Sequence, residues 1–256
     1  MTELADVNAH VQTHPDQQPA TEPATPGEAP SRRPRLRETW VLRRREAGTL
    51  LAVYAAFTGI WFTVGWLLTD PLADSRIVHA DQSISEWFVT KRTPTLNSLT
   101  FIGSMMSDTL VKIVITAVVA LAMLIGWKRW LEPLVVAVPL ALEALCFITV
   151  TTLVGRHRPD VPRLEGSPIG SSYPSGHMAA AVAYSAIVVV IFWHTRKRWI
   201  RALAVFVGVL VPLCVGVSRI YRGMHYFTDV VAGALLGGAC VIVSTVVLRR
   251  AADRRP

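Results

Sequence analysis

Residues 131–154 read LEPLVVAVPLALEALCFITVTTLV, an almost unbroken apolar run in the middle of a 256-residue chain. A run of about twenty apolar residues has the length that an α-helix needs to cross the hydrocarbon part of a bilayer. Five more such runs flank it, which predicts spans near residues 48–68, 108–127, 131–154, 178–194, 201–217 and 230–248. The sequence therefore predicts an all-α membrane protein, a bundle of six transmembrane helices.

Two other segments differ from these runs in composition. Residues 81–100 (DQSISEWFVTKRTPTLNSLT) are polar with spaced apolar side chains, which is typical of short interfacial helices between the first and second spans. Residues 1–37 are rich in proline and have no apolar core, so we expect a disordered cytoplasmic tail there. The expected organisation is this tail followed by one membrane domain over residues 38–256.

The formal charge of +8 is distributed according to topology. Of the 26 Lys and Arg residues, 17 lie before the first span, in the second and fourth connections between spans, or after the last span. With six crossings these segments share one side, which the positive-inside rule places in the cytoplasm. We therefore expect a plasma-membrane protein with both termini cytoplasmic, and no nucleic-acid partner.

Two histidines lie on the opposite side, where apolar runs meet polar loops. His225 precedes Asp229 by four residues, so that the carboxylate could accept the Nδ1 proton and leave Nε2 free as a nucleophile. His177 follows Ser175 and Gly176 at the expected start of a helix, where an anion is favoured, and could protonate a leaving oxygen. Taken singly, each pattern is also typical of a helix cap or an interfacial anchor.

Arginines accompany both histidines. Arg158 and Arg219 could bind phosphate oxygens, and the alternative for each is that it reaches lipid headgroups. The nearby acids form no cluster that would hold Mg²⁺, so the positive charge must come from side chains. The sequence therefore predicts a phosphoryl-transfer site with no metal and no cofactor.

These motifs resemble those of the type 2 phosphatidic acid phosphatase family. The resemblance covers roughly residues 45–250 and rests on Arg158-Pro159, Pro174-Ser175-Gly176-His177, and Ser218-Arg219 with His225 and Asp229. It implies a six-helix fold of the type shared with vanadium haloperoxidases and a phosphohistidine at His225. It also implies acid catalysis by His177, and phosphate contacts from Arg158, Ser175, Gly176 and Arg219.

One position departs from the family pattern. The family has lysine seven residues before the arginine of its first motif, and this chain has Thr151 there. Arg156, Arg222 and His157 are candidates to supply the missing positive charge. Within the spans, Lys112 is expected to reach toward the interface. Glu143 is expected to be neutral or paired, and its role is left open.

The expected substrate is a lipid phosphate or diphosphate, because the site borders the membrane on its extracytoplasmic side. Phosphatidic acid, phosphatidylglycerol phosphate and undecaprenyl pyrophosphate represent the class, and the headgroup is left open. The spans argue against a haloperoxidase. Two alternatives remain: a phosphotransferase on the same site, and a non-catalytic protein that binds or transports lipid phosphates. The oligomeric state is also left open.

Overall fold

A computed structural model describes residues 44–167 and 169–254 of the chain. Within these ranges the secondary structure is helical, with no β-strand. The helices are α1 (Arg44–Thr69), α2 (Arg76–Thr90), α3 (Pro94–Met105), α4 (Thr109–Trp127), α5 (Leu131–Val154), α6 (Gly176–Ala183), α7 (Ala186–His194), α8 (Arg198–Tyr221) and α9 (Phe227–Asp253). The predicted tail over residues 1–37 and the predicted domain start at residue 38 lie outside the described residues.

Six helical segments of the described chain are long and apolar enough to cross a membrane. They are α1, α4, α5, α6 together with α7, α8, and α9, which confirms the six predicted spans. The stretch 81–100, for which short helices were predicted, falls within α2 and α3, which extend beyond it at both ends. The fourth span differs from the prediction because a turn at Tyr184 and Ser185 divides it into α6 and α7.

Local capping explains where several helices begin and end. The Thr93 hydroxyl accepts a hydrogen bond from the Leu96 amide (3.2 Å) at the start of α3, and Asp108 accepts one from the Leu110 amide (3.0 Å) at the start of α4. Helix α5 ends at Val154 and is capped by Gly155, which takes the left-handed conformation (φ +63°) that terminates many helices. These caps place the polar loops at the helix ends where the motifs lie.

Helices α5, α6 and α9 form the interior of the bundle. Their buried contacts include Val136, Leu140, Ala180 and Leu248, with no exposure or only a few per cent. Helix α9 approaches α6 closely: a side chain at Gly233 would overlap the carbonyl oxygen of Ser175. This contact holds the start of α6 against the start of α9, and so brings together the two histidine motifs.

The outer helices expose apolar side chains. Leu110 and Ile125 on α4, and Phe206 and Leu213 on α8, are each more than half exposed. Such apolar surface is unfavourable in water and is what a bilayer would cover. The arrangement is therefore that of a membrane bundle with an apolar perimeter.

Candidate active site

A cavity of about 480 Å³ lies where the candidate motifs meet. Its wall is formed by the end of α3, the starts of α4 and α6, the end of α8, and the loops that precede α6 and α9. Both imidazoles, His177 and His225, contribute to this wall, together with Arg158 and Arg219. Gly176, which was also predicted for the site, lies on the same wall, so the structure brings five predicted site residues from three distant segments to one space.

His225 is held in the loop between α8 and α9 with only 3% of its surface exposed. Its Nδ1 lies 2.6 Å from the carbonyl oxygen of Ser172. Since a carbonyl only accepts, Nδ1 carries the proton and Nε2 keeps its lone pair. Burial lowers the pKa of His225 well below the ordinary value of 6.5, and the charges of Arg219 and Arg158 act in the same direction. The ring is therefore neutral near pH 7.

Asp229 does not make the hydrogen bond expected from the sequence. Its Oδ2 lies 3.9 Å from Nδ1 of His225, so the orienting acceptor is the Ser172 carbonyl instead. Fully buried at the start of α9, Asp229 accepts the Tyr226 amide (3.0 Å) and pairs with Arg156 (2.5 Å). The carboxylate fixes the loop that carries His225, rather than the ring directly.

Arg156 is engaged in a buried ion-pair network that sequence reasoning missed. Its guanidinium bonds Asp229, the Thr228 hydroxyl (2.8 Å) and Asp81 of α2 (3.0 Å). Burial alone would lower the pKa of Arg156, but the two carboxylates together raise it. Because Arg156 is not part of the cavity wall, its placement does not fit the phosphate contact considered for it. Arg156 and Asp81 position the loop and α2 around the site.

Arg158 lies on the cavity wall and is anchored by its own loop. It donates to the carbonyl oxygens of Met224, Ile169 (3.1 Å) and Ser171 (3.0 Å), and its buried Nε has no partner among the described residues. Burial, followed by the charges of Arg219 and Arg163, lowers the pKa of Arg158 to about 10, so it stays charged at neutral pH. A fixed, partly unsatisfied guanidinium suits an anion in the cavity.

Glu165 holds the other two arginines. Arg219 donates to Glu165 and to the Ser104 hydroxyl (2.6 Å), while its Nε has no partner in the described chain. Arg222 bonds the second oxygen of Glu165 (2.8 Å) and the Leu164 carbonyl (3.1 Å). Arg219 lines the cavity and Arg222 does not, so the proposed phosphate contact from Arg222 does not fit its placement. Glu165 is itself on the wall and competes with any anion for Arg219.

The start of α6 presents backbone to the cavity. Ser175 is fully buried: its amide donates to the Asp229 carbonyl (3.0 Å) and its hydroxyl caps Met178 (3.5 Å). Ser175 is thus a cap that joins α6 to α9 and is not on the wall, whereas Gly176 and His177 are. A methyl group at Gly176 would lie 2.9 Å from the Phe147 ring, so glycine is needed for this packing.

The position that departs from the family pattern is not on the wall. Thr151 is buried, and its hydroxyl has no partner among the described residues. His157, the third candidate for the missing charge, is exposed and also lies off the wall. Instead the wall includes Lys112 of α4, which was expected to reach toward the interface. Its Nζ lies 3.2 Å from Oε1 of Glu143, which shows that Glu143 is paired.

The last question about the site is whether its side chains could hold a metal ion. Across residues 44–167 and 169–254, no group of three or more His, Cys, Asp or Glu side chains is placed to hold a metal ion. Two acids beside the site are paired with arginines, Asp229 with Arg156 and Glu165 with Arg219. The cationic groups that face the cavity are therefore side chains.

The fold and site define a multi-pass, all-helical membrane protein with histidines and arginines converging on one cavity at the helix ends. The family model described as the PAP2 superfamily matches residues 132–253, the part of the chain that holds both histidine motifs. This part of the chain is therefore similar to the PAP2 superfamily, which confirms the resemblance that the motifs predicted.

Three known proteins illustrate the relationship. Phosphatidylglycerophosphatase B of Bacillus subtilis is 29% identical over 182 residues, which cover 67% of this chain and 84% of that protein. Undecaprenyl-diphosphatase of Sulfolobus acidocaldarius is 40% identical over 74 residues, which cover 29% of this chain and 32% of that protein. The crystal structure of a transmembrane PAP2 type phosphatidylglycerolphosphate phosphatase from Bacillus subtilis has the same fold. Its TM-score is 0.65, at 21% identity, and the match covers 81% of this chain and 98% of that one.

Proposed function

We propose that this protein is an integral membrane phosphatase that hydrolyses a lipid phosphate or diphosphate through a phosphohistidine on His225. The observation that supports this most is the shared cavity, in which a neutral His225 faces the same space as His177, Arg158 and Arg219. A nucleophile, an acid and two guanidiniums are the groups that phosphoryl transfer requires.

In the first step, Nε2 of His225 attacks phosphorus and the bond to the lipid oxygen breaks. His177 donates a proton to that departing oxygen, so the lipid leaves as a neutral alcohol or as a monophosphate. Arg158 and Arg219 bind the equatorial oxygens, where negative charge spreads in the transition state. The Nδ1 hydrogen bond to Ser172 stabilises the positive charge that develops on the His225 ring.

In the second step, water attacks the phosphohistidine. His177, now neutral, accepts a proton from that water, which returns the acid to its starting state and releases inorganic phosphate. His225 regains its lone pair at Nε2. No step requires a metal ion, and the side-chain cations of the cavity supply the positive charge.

A lipid substrate is supported by the relatives, whose names describe phosphatidylglycerol phosphate and undecaprenyl diphosphate as substrates. It is also supported by the place of the cavity at the ends of apolar helices, where a headgroup can enter while its tail stays in the bilayer. Phosphatidic acid, phosphatidylglycerol phosphate and undecaprenyl pyrophosphate remain the candidates.

The proposed location is the plasma membrane, with both termini in the cytoplasm and the site on the extracytoplasmic side. The excess of Lys and Arg at the opposite helix ends supports this orientation. Cysteine labelling with a membrane-impermeant reagent tests it: a cysteine at exposed His157 should react from outside, and one at exposed Arg129 should not.

The reaction is tested by phosphate release from the three candidate lipids, using purified protein in detergent with EDTA present. We expect release that His225→Ala abolishes. Binding of the lipids without release by the native protein would favour the non-catalytic alternative, for which Thr151 would mark lost catalysis. Transfer of the phosphoryl group to an added alcohol in preference to water would favour the phosphotransferase.

A further inference from the structure

Lys112 and Glu143 form an ion pair inside the membrane part of the bundle. Lys112 lies in the first turn of α4 and Glu143 lies in the middle of α5, with Nζ and Oε1 3.2 Å apart. The Glu143 side chain is fully buried and that of Lys112 is 16% exposed. Burying charged groups inside a membrane costs free energy, so an ion pair at this depth is expected to have a specific role.

The cavity extends to Lys112 of this pair. Lys112 is part of the same wall as His177 and His225. Glu143 takes one of the three N–H donors of the ammonium, and no other acceptor in the described chain bonds Nζ. Glu143 therefore holds the ammonium beside the cavity and leaves donors available for a ligand.

The lysine lies deeper than the arginines. Glu143 is eleven residues before Val154, the last residue of α5, a distance of about 16 Å along the helix. Arg158 lies in the loop beyond that end, and Arg219 and His225 lie at the corresponding end of α8. The cavity therefore has guanidiniums at its loop end and an ammonium toward the membrane interior.

The volume allows a ligand that reaches both levels. A phosphate group occupies roughly the space of two or three water molecules, on the order of 60–90 Å³. The cavity measures about 480 Å³. A terminal phosphate at His225 thus leaves room for a second anionic group beside Lys112.

We propose that Lys112, held by Glu143, binds a second phosphate group of the substrate, the one that lies between the scissile phosphate and the lipid tail. This inference rests on the proposed phosphatase function. In a lipid diphosphate the second phosphate is part of the leaving group, and its negative charge increases as the P–O bond breaks. In phosphatidylglycerol phosphate it is a phosphodiester. Phosphatidic acid has no second phosphate, so Lys112 sets a preference against it.

The test measures kcat and KM for farnesyl diphosphate, phosphatidylglycerol phosphate and phosphatidic acid. The key variant is Lys112→Met with Glu143→Leu, which replaces both charges by apolar groups and leaves no buried carboxylate unpaired. Lys112→Arg keeps the charge. Lys128→Gln removes a lysine just past the other end of the same helix, away from the cavity, and is the matched control.

We expect the double variant to lower kcat/KM for the two-phosphate substrates by about tenfold or more, as for the loss of a hydrogen bond to a charged group. Its activity on phosphatidic acid should stay within about twofold, and Lys112→Arg should keep most of the preference. A loss confined to farnesyl diphosphate would assign the contact to a diphosphate, and one confined to phosphatidylglycerol phosphate would assign it to the phosphodiester.

Two results would overturn the inference. An equal loss on all three substrates would show that Lys112 acts on the scissile phosphate or on the fold, and no loss on any would show that it binds no substrate. In both cases His225-dependent release from phosphatidic acid by the native protein would leave the proposed function intact. Absence of that release from every substrate would contradict both.

Discussion

Arg156→Met should destabilise the protein strongly, because it removes the cation that pairs with two buried carboxylates. Arg156, Asp81 and Asp229 are each 4% exposed or less, and the guanidinium lies 3.0 Å and 2.5 Å from the two acids. Breaking a buried pair by removing one partner costs about 3–5 kcal/mol. For a chain of this size that corresponds to a fall in Tm of about 6–20 °C.

The assay is thermal unfolding in detergent, followed by tryptophan fluorescence at a fixed scan rate. Asp81→Asn is the matched control: it leaves the pair between Arg156 and Asp229 in place, so its Tm should fall by less than half as much. A Tm for Arg156→Met within about 2 °C of the native value would refute the network. An unchanged Tm with a large increase in KM would show that Arg156 is a phosphate ligand after all.

Three further predictions concern the cavity and its support. Glu165→Gln should lower KM for a lipid phosphate by about three- to tenfold, because the carboxylate that competes for Arg219 is neutralised; steady-state kinetics that show a higher KM would contradict this. Gly233→Ala should cost about 1–3 kcal/mol by overlapping the backbone of α6. Its thermal unfolding should be compared with that of Gly126→Ala on α4, where a methyl group meets nothing within 4 Å. The acid limb of kcat/KM should lie well below pH 6.5, because the lowered pKa of His225 keeps the nucleophile neutral as the pH falls. A pH profile with half-loss near pH 6.5 would count against a buried, neutral His225.

The spans were predictable because a bilayer imposes a length on apolar runs, and hydropathy records that length directly. The exact ends of the helices were less predictable. Helix α8 covers Arg198–Tyr221, whereas its apolar run suggests 201–217, because backbone hydrogen bonding continues into the polar ends that hydropathy does not mark. The turn at Tyr184 and Ser185 has no glycine or proline to signal it.

Five residues were predicted for the site and line the cavity, and four of them are histidines or arginines of motifs at helix ends, with Gly176 as the fifth. His177, His225, Arg158 and Arg219 could each be located in this way. Pairings between distant segments could not, since nothing local encodes them. Asp81 lies in a polar stretch without a motif, and its partner Arg156 is 75 residues away.

The position of Glu143 in the sequence predicted only part of its role. A carboxylate in the middle of a span predicts a partner, but not which one, and Lys112 was assigned to the interface instead. The orienting contact of His225 was also unpredictable, because the backbone carbonyl of Ser172 has no side-chain signature.

The proposed chemistry requires that Nε2 of His225 become phosphorylated during turnover. The direct measurement lets the protein react with a ³²P-labelled lipid phosphate and stops the reaction rapidly without acid. Peptide mapping then locates the label. The label should be alkali-stable and acid-labile, map to His225 and be absent from His225→Ala. Phosphate release by an active enzyme with no label on His225, or with the label on another residue, would contradict the proposed chemistry.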